Sequence, residues 1–390
     1  MDCNHFWSPS GGGVRRNHLE KLAYFKARSD VHYVFVMPDD HRRTEILDET
    51  TVIEHVPGAK FPGNWEYRFI LDTAALRDVF ARHRPHVIEI GSPYIMPLKV
   101  RRALAAAGMD SRTVGFWHAD FPVTYAGRFF GKFGRLPGSM AESLAWRFAR
   151  SQYNLMDAVF VASREILERM ESRGMKNLRY APLGVDIETF RPDCRDEALV
   201  SDLKAGLPER LTIFFGHRFC EEKGLRTFLQ AYPSLCRRLG HEPAVAFAGT
   251  GPDLELVRRA VREHSHIRYV GFIREPSEMA KWYASCDLGL TLSGWETFGL
   301  SLLEALACGQ MMVGADQGAA REHVGASGAG VVFRTGNWES LAGAIEGLYH
   351  TGKKAGYGAK GRTYAEGLSW RACFAKELET YRELAGQAEA

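Results

Sequence analysis

The chain has 390 residues, 45% hydrophobic and 25% charged, with a formal net charge of +3. This is too long for one ordinary core and suits two domains. The small net charge argues against general nucleic-acid binding, and no apolar run reaches the roughly 18 residues of a membrane span. The seven cysteines (Cys3, Cys194, Cys220, Cys236, Cys286, Cys308 and Cys373) are scattered without a C-x-x-C pair, so neither a zinc site nor a disulfide framework is indicated. With no basic-then-apolar export segment at the start, a cytoplasmic protein is expected.

Short β-branched and aromatic runs alternate with longer helical patterns, the signature of an α/β chain with parallel sheets. In the first half, strands are predicted at 32–37, 86–90, 113–117 and 158–162, and helices at 17–27, 72–83, 98–107, 139–154 and 164–173. Only Met1–Trp7 precede a glycine loop, so either a strand before that loop is short or the chain's start is set too far downstream. A break at Pro182–Asp186 and again at Phe190–Asp193 reads as an interdomain connection. The alternation then restarts, with strands predicted at 211–215, 244–248, 267–270, 288–292, 311–313 and 330–333 and helices between them. A last helix, about 370–384, has no strand after it. Two successive doubly wound sheets are expected to bring their strand C-terminal ends to one shared cleft.

Several strand ends carry groups suited to phosphate and sugar. Ser8–Arg16 contains Gly11, Gly12 and Gly13, where a backbone without Cβ atoms can approach a phosphate. Phe214–Gly224 ends a strand and delivers Arg218 and Lys223, a forked and a point cation well matched to a diphosphate. Gly249–Pro252 and Val270–Ile273 end two further strands. In Trp295–Gly309, Glu296 and Glu304 bracket a Thr-Phe-Gly-Leu turn and the first two turns of a helix. The free amides of that turn, at Phe298, Gly299 and Leu300, form a ready anion site with a carboxylate on either side. The arrangement suits a nucleotide sugar. His118-Ala119-Asp120-Phe121-Pro122 ends a first-half strand. Tyr125–Leu136 interleaves Arg128, Lys132 and Arg135 with Phe129, Phe130 and Phe133, within a stretch, 101–150, that holds 8 Lys and Arg against 3 Asp and Glu. Basic and aromatic residues at this density suit an anionic membrane surface. No Asp-x-Asp, no P-loop and no strand-linked G-x-G-x-x-G occurs, which disfavours a metal-chelating transferase site, an NTPase and a dehydrogenase.

The Glu296–Gly309 string resembles the E-x7-E motif of retaining glycosyltransferases of family 4. Phe215–Gly224 is similar to that family's G-R-x-x-x-x-K-G signature, with His217 where glycine is usual before the arginine. His118–Pro122 resembles the H-T-D-F-P segment of members that glycosylate lipid or lipid-like acceptors. The resemblance implies a GT-B fold: residues 1–185 as an acceptor-side Rossmann-like domain, 186–365 as a nucleotide-sugar domain, and 366–390 as a helix crossing back to the first.

It also implies retaining transfer of a hexose from a UDP- or GDP-linked donor to a hydroxyl of a lipid or lipid-linked glycan, without metal or other cofactor. Glu296 would hold sugar hydroxyls and Glu304 the ribose. Arg218, Lys223 and the amides at Phe298–Leu300 would stabilise the leaving diphosphate, and His118 would reach toward the reaction centre. Gly12 and Gly13 would face the diphosphate, Gly251 and Val270 would line the base, and Asp120 and Arg15 would lie on the acceptor side. Expected partners are the nucleotide sugar, a lipid acceptor and an anionic membrane face, and no nucleic acid. Three other readings fit the same residues: the same chemistry on a soluble acceptor, a hydrolysing nucleotide-sugar epimerase, and a non-catalytic scaffold on the same fold.

Overall fold

The computed structural model describes all residues except 6, 8–11, 27, 62–63, 92–94, 119, 128–129, 131–133, 352–353 and 387–390, and the backbone alone of 61, 64–67, 124–125 and 354–355. The chain divides into two compact units, Met1–Leu183 with Trp370–Ala390, and Gly184–Ser369.

The first unit carries strands β1 (Asp2–Cys3), β2 (Tyr33–Asp39), β3 (Arg43–Ile46), β4 (Thr51–Pro57), β5 (Ala59–Phe61), β6 (Asn64–Phe69), β7 (Val87–Ile90), β8 (Arg112–Trp117), β9 (Ala158–Val161) and β10 (Leu178–Tyr180). Its helices are α1 (Gly13–Lys26), α2 (Thr73–His83), α3 (Met96–Ala107), α4 (Arg135–Tyr153) and α5 (Arg164–Ser172). Eight strands form one sheet in the order β10-β9-β8-β7-β1-β2-β4-β3, parallel except for the β3–β4 pair, and β5–β6 form a separate antiparallel ribbon. The parallel strands are short continuous apolar runs such as Val-Phe-Val-Met in β2 and Ala-Val-Phe-Val in β9, as strands covered on both faces require. Asp72 caps α2 by accepting from the amides of Ala74 and Ala75, which fixes where that helix starts.

The second unit contains β11 (Thr212–Gly216), β12 (Ala244–Ala248), β13 (Ile267–Gly271), β14 (Leu288–Thr291), β15 (Met311–Ala315) and β16 (Gly330–Phe333). Its helices are α6 (Glu197–Lys204), α7 (Leu225–Leu239), α8 (Leu254–Glu263), α9 (Pro276–Ser285), α10 (Leu300–Ala307), α11 (Gly318–Ser327), α12 (Trp338–His350) and α13 (Lys354–Glu366). The sheet is wholly parallel in the order β13-β12-β11-β14-β15-β16, so its switch point lies between β11 and β14. Helix α7 buries Leu225, Phe228, Ala231, Tyr232, Leu235 and Leu239 along one stripe, against β-strand residues including Phe215 and Phe247.

Helix α14 (Trp370–Leu384) belongs to the first unit, whereas 366–369 stay with the second, where the Leu368 carbonyl accepts from the Val185 amide at 2.9 Å. The sequence pattern predicts no element between 37 and 72, yet β3, β4, β5 and β6 lie there. In β4 the apolar run is interrupted by Glu54 and His55, both buried and both paired with charged side chains. Glu54 accepts from Arg82 at 2.6 Å and His83 at 2.7 Å, and His55 pairs with Asp39 at 2.7 Å. Partners this distant hide a buried strand from a pattern read along the chain.

Candidate functional site

The switch point of the second unit gathers the groups singled out in the sequence. After β11 the chain leaves the sheet through His217 and Arg218, passes Lys223 and enters α7 at Gly224. That glycine has φ +75°, and a Cβ there would lie 2.6 Å from the Cβ of Leu292, so glycine is required for the close approach to the end of β14. After β14 the chain carries Glu296 and turns at Gly299 into α10. Lys223 Nζ and Glu296 Oε2 meet at 2.5 Å. Burial alone would raise the Glu296 pKa, but the Lys223 ammonium and the Gly299 amide outweigh it and hold the carboxyl below its usual range. Conversely, burial would lower Lys223, and Glu296 keeps it above the usual lysine value. Both groups are therefore charged at neutral pH.

Two histidines, His217 half-buried and His323 buried, fix the loops around this pair. His217 Nε2–H donates to the Leu290 carbonyl at 2.6 Å, across the β11–β14 switch point; burial and then the Lys223 charge lower its pKa to about 4. His323, on α11, donates from Nε2 to the Phe298 carbonyl at 2.7 Å and accepts from the Tyr364 hydroxyl at Nδ1, 2.8 Å away. Burial lowers its pKa too, so both rings are neutral. The Phe298 side chain is buried and meets His323 edge-on. Its carbonyl is thereby held at the turn before α10, where the Gly299 amide donates to Glu296 and is not one of the free amides expected there.

Beside Arg218 lies a cavity of about 540 Å³, lined by Gly216, His217, Arg218, Ala248, Gly249, Thr250, Gly251, Phe272, Ile273 and Met279. Its volume is in the range of small-ligand sites. Gly251 is needed here because a Cβ would stand 2.2 Å from the Phe219 carbonyl oxygen. Val270, expected to line the base, is not among the lining residues; the wall is made by Phe272 and Ile273, just beyond it in the chain. Glu304 sits half-buried on the second turn of α10, on the side that faces Tyr283 and Cys308.

In the first unit a second cluster forms where β1, β7 and β8 end. His18 donates from Nδ1 to Asp2 at 3.0 Å, and its Nε2 accepts from the Asn4 amide. Asp2 also accepts from the Tyr33 hydroxyl at 3.1 Å. Burial would raise Asp2, but His18 overrides it and keeps the carboxyl well below its usual range. His118 lies beside this group, stacked on Phe116 at 4.1 Å and edge-on to His18 at 5.8 Å. Burial, with the adjacent His18, holds it well below the usual histidine pKa, and its Nε2 has no hydrogen-bond partner among the described residues. A neutral imidazole whose Nε2 is buried without a described partner thus lies at the C-terminal end of β8. Asp120 is buried and bonded to Arg169 of α5 at 2.5 Å, with Oδ1 buried and without a partner among the described residues. Burial, despite Arg169, leaves its pKa raised.

Gly12 is exposed and Gly13 is the first residue of α1, which therefore starts ahead of the 17 that the sequence pattern predicts; Gly11 lies outside the described residues. Arg15, on the first turn, lies over the Trp7 ring at 5.8 Å, and its Nε has no partner among the described residues. Of the basic aromatic segment, Arg128, Phe129, Lys132 and Phe133 lie outside the described residues, while Phe130 and Arg135 are exposed. Asp2, Asn4, His18, Arg169, His323 and Tyr364 carry no signal in the sequence. None belongs to a motif, and their roles arise only from contacts made on folding.

Residues 11–189 match the family described as Glycosyltransferase Family 4, and residues 204–361 match Glycosyl transferases group 1. Over 307 residues the chain is 27% identical to a GDP-mannose-dependent alpha-(1-6)-phosphatidylinositol dimannoside mannosyltransferase of Mycobacterium tuberculosis, covering 78% of this chain and 76% of that protein. A GDP-mannose-dependent alpha-mannosyltransferase of the same species is 24% identical over 384 residues, 97% of this chain and 95% of its own. Among solved structures, Anabaena HepE in complex with UDP shares the fold with a TM-score of 0.72 at 16% identity, covering 98% of this chain and 99% of that one.

Proposed function

Since the chain belongs to the family 4 glycosyltransferases and has their GT-B fold, we propose that it is a retaining hexosyltransferase that moves a sugar from a nucleotide diphosphate to a hydroxyl of a lipid or lipid-linked acceptor. The observation that carries this reading is the Lys223–Glu296 ion pair at the start of α10, joined through His217 and Arg218 to the glycine-walled cavity. In the proposed reaction the base occupies that cavity. Arg218, Lys223 and the first amides of α10 then neutralise the departing diphosphate, so the chemistry needs no metal. Glu296 accepts from sugar hydroxyls and Glu304 from the ribose. The anomeric centre becomes oxocarbenium-like. The acceptor oxygen bonds to the anomeric carbon on the face the leaving group vacates, and a phosphate oxygen of that group takes its proton. His118 contributes its imidazole nitrogen on the acceptor side.

The relatives named for GDP-mannose put a GDP-linked hexose first, with a UDP-linked donor as the alternative. Two features support a lipid acceptor at a membrane face: the His118–Pro122 string and the local excess of positive charge over 101–150. Among the described residues no helix is long and apolar enough to cross a membrane.

The test is transfer of labelled hexose from GDP-mannose and UDP-glucose to a membrane lipid fraction, with EDTA present. Lys223→Ala is expected to lower kcat/KM by roughly 10²–10³-fold, the scale of losing one preorganised charge partner of a transition state. Near-wild-type turnover by that variant would sink the assignment.

A further inference from the structure

Helix α4 has two apolar faces, and the fold uses only one of them. Trp146, Ala149 and Tyr153 point into the first unit, where Trp146 stacks on Trp117 at 5.8 Å and Tyr153 meets the same ring edge-on. On the other side Leu136, Met140, Leu144 and Phe148 are 77%, 66%, 61% and 42% exposed. Their four-residue spacing, at about 100° per residue, sweeps them over roughly a third of the helix circumference, directly opposite the buried face. Four large apolar side chains in one exposed row are far from the scattered singles of an ordinary surface.

The charges on this helix are sorted as well. By the same rotation Arg147 falls inside the apolar row and Arg150 at its border, with Arg135 at the helix start. The one acidic residue, Glu142, lies on the inner side, where it accepts from Trp146 Nε1 at 3.3 Å and pairs with Arg173. We propose that this face of α4 is a docking surface for an anionic lipid bilayer, with Leu136, Met140, Leu144 and Phe148 entering the headgroup boundary and Arg147 and Arg150 engaging lipid phosphates.

Charge decides the occupant. A second copy packed face to face would set this face against itself, and α4 brings Arg147 and Arg150 to it but no carboxylate to meet them, because its one acidic residue, Glu142, lies on the inner side. Anionic headgroups complement the same residues, and long arginine stems let the rows lie in the interface with the guanidinium groups in water. Phe130, which precedes the helix in sequence, is exposed as well. The proposal deepens the lipid-side reading given above and rests on it for its purpose, but its test does not depend on sugar transfer.

That test is sedimentation of the full chain with vesicles of phosphatidylcholine mixed with phosphatidylglycerol, beside phosphatidylcholine alone. The wild-type chain should bind the anionic vesicles selectively and less well at high salt. Replacing Met140, Leu144 and Phe148 together by Ser should weaken binding by more than about tenfold, since burying one such side chain is worth about that much. Arg147→Glu should weaken it as well. Because all four positions are exposed, the variants should melt as the wild type does and respond to nucleotide as it does. The proposal fails if the wild type stays in the supernatant, if the triple variant binds like the wild type, or if the triple change turns a dimer into a monomer. Vesicle binding by a wild-type chain that shows no response to any nucleotide would sink the donor-site reading and leave the surface standing.

Discussion

His217 stands where glycine is usual in the signature that Phe215–Gly224 resembles, and the structure gives the imidazole a task that glycine could not perform. Its Nε2–H satisfies the Leu290 carbonyl at the switch point, while its own amide donates to the Ala248 carbonyl at 3.1 Å. One residue thus ties β11 to both of its neighbours at the level of the cavity. Removing the ring leaves a carbonyl without that partner. His217→Ala should therefore cost about 1–3 kcal/mol, read as a lower urea midpoint with an unchanged slope; wild-type stability would contradict the role given to it. The residue scale is also where the sequence is most legible for the donor side. Glu296, Arg218 and Lys223 sit in strings whose spacing carries the chemistry, and the structure brings Glu296 and Lys223 into contact. His323 is invisible in the sequence because its partner carbonyl, at Phe298, is 25 residues away and its ring partner, Tyr364, 41 residues away. The wall residues are Phe272 and Ile273 rather than Val270 because a strand end cannot be located to the residue from pattern alone.

At the scale of elements, α14 is held to the first unit by a buried charge cluster. Lys21 of α1 pairs with Glu89 of β7 at 2.9 Å and with Glu377 of α14 at 2.8 Å, and the Tyr381 hydroxyl donates to Glu89. All three charged groups are at most 2% exposed. One ammonium faces two carboxylates with Asp2 nearby, so burial and Glu89 raise the Glu377 pKa from 4.5 to about 7 against the pull of Lys21. The folded protein therefore keeps a proton that the unfolded chain releases above about pH 4.5. The contribution is fully present below that pH and is lost as pH rises to about 7. Glu377→Gln keeps the shape and removes the titration. Between pH 5 and pH 8 the urea midpoint should fall further for the wild type than for this variant; equal changes would contradict the cluster's protonation. The same scale shows why β3, β4, β5 and β6 escape a pattern reading while the apolar parallel strands do not. Continuous apolar runs announce strands covered on both faces, whereas β4 carries buried Glu54 and His55 whose partners lie elsewhere in the chain, and β3 is exposed throughout.

For the whole molecule, the repeated alternation of short apolar runs and amphipathic helices makes two doubly wound parallel sheets legible in the sequence alone. The strand orders, and with them the two switch points where the polar clusters form, are not legible there, because order is set by pairings between distant segments. Those switch points are what turn scattered motifs into sites. In the second unit the end of β11 supplies cations and the end of β14 supplies a carboxylate and a helix N-terminus. We propose that these groups together form a nucleotide-diphosphate site that binds without metal. Its most direct test is the melting temperature of the full chain against GDP, UDP and ADP and their sugars in EDTA. A nucleotide at a hundredfold excess over its Kd stabilises by about 2.7 kcal/mol, a rise of several degrees. Such a rise is expected for GDP or UDP, and it should be lost in Lys223→Ala. No shift from any nucleotide, or an equal shift in that variant, would contradict the claim.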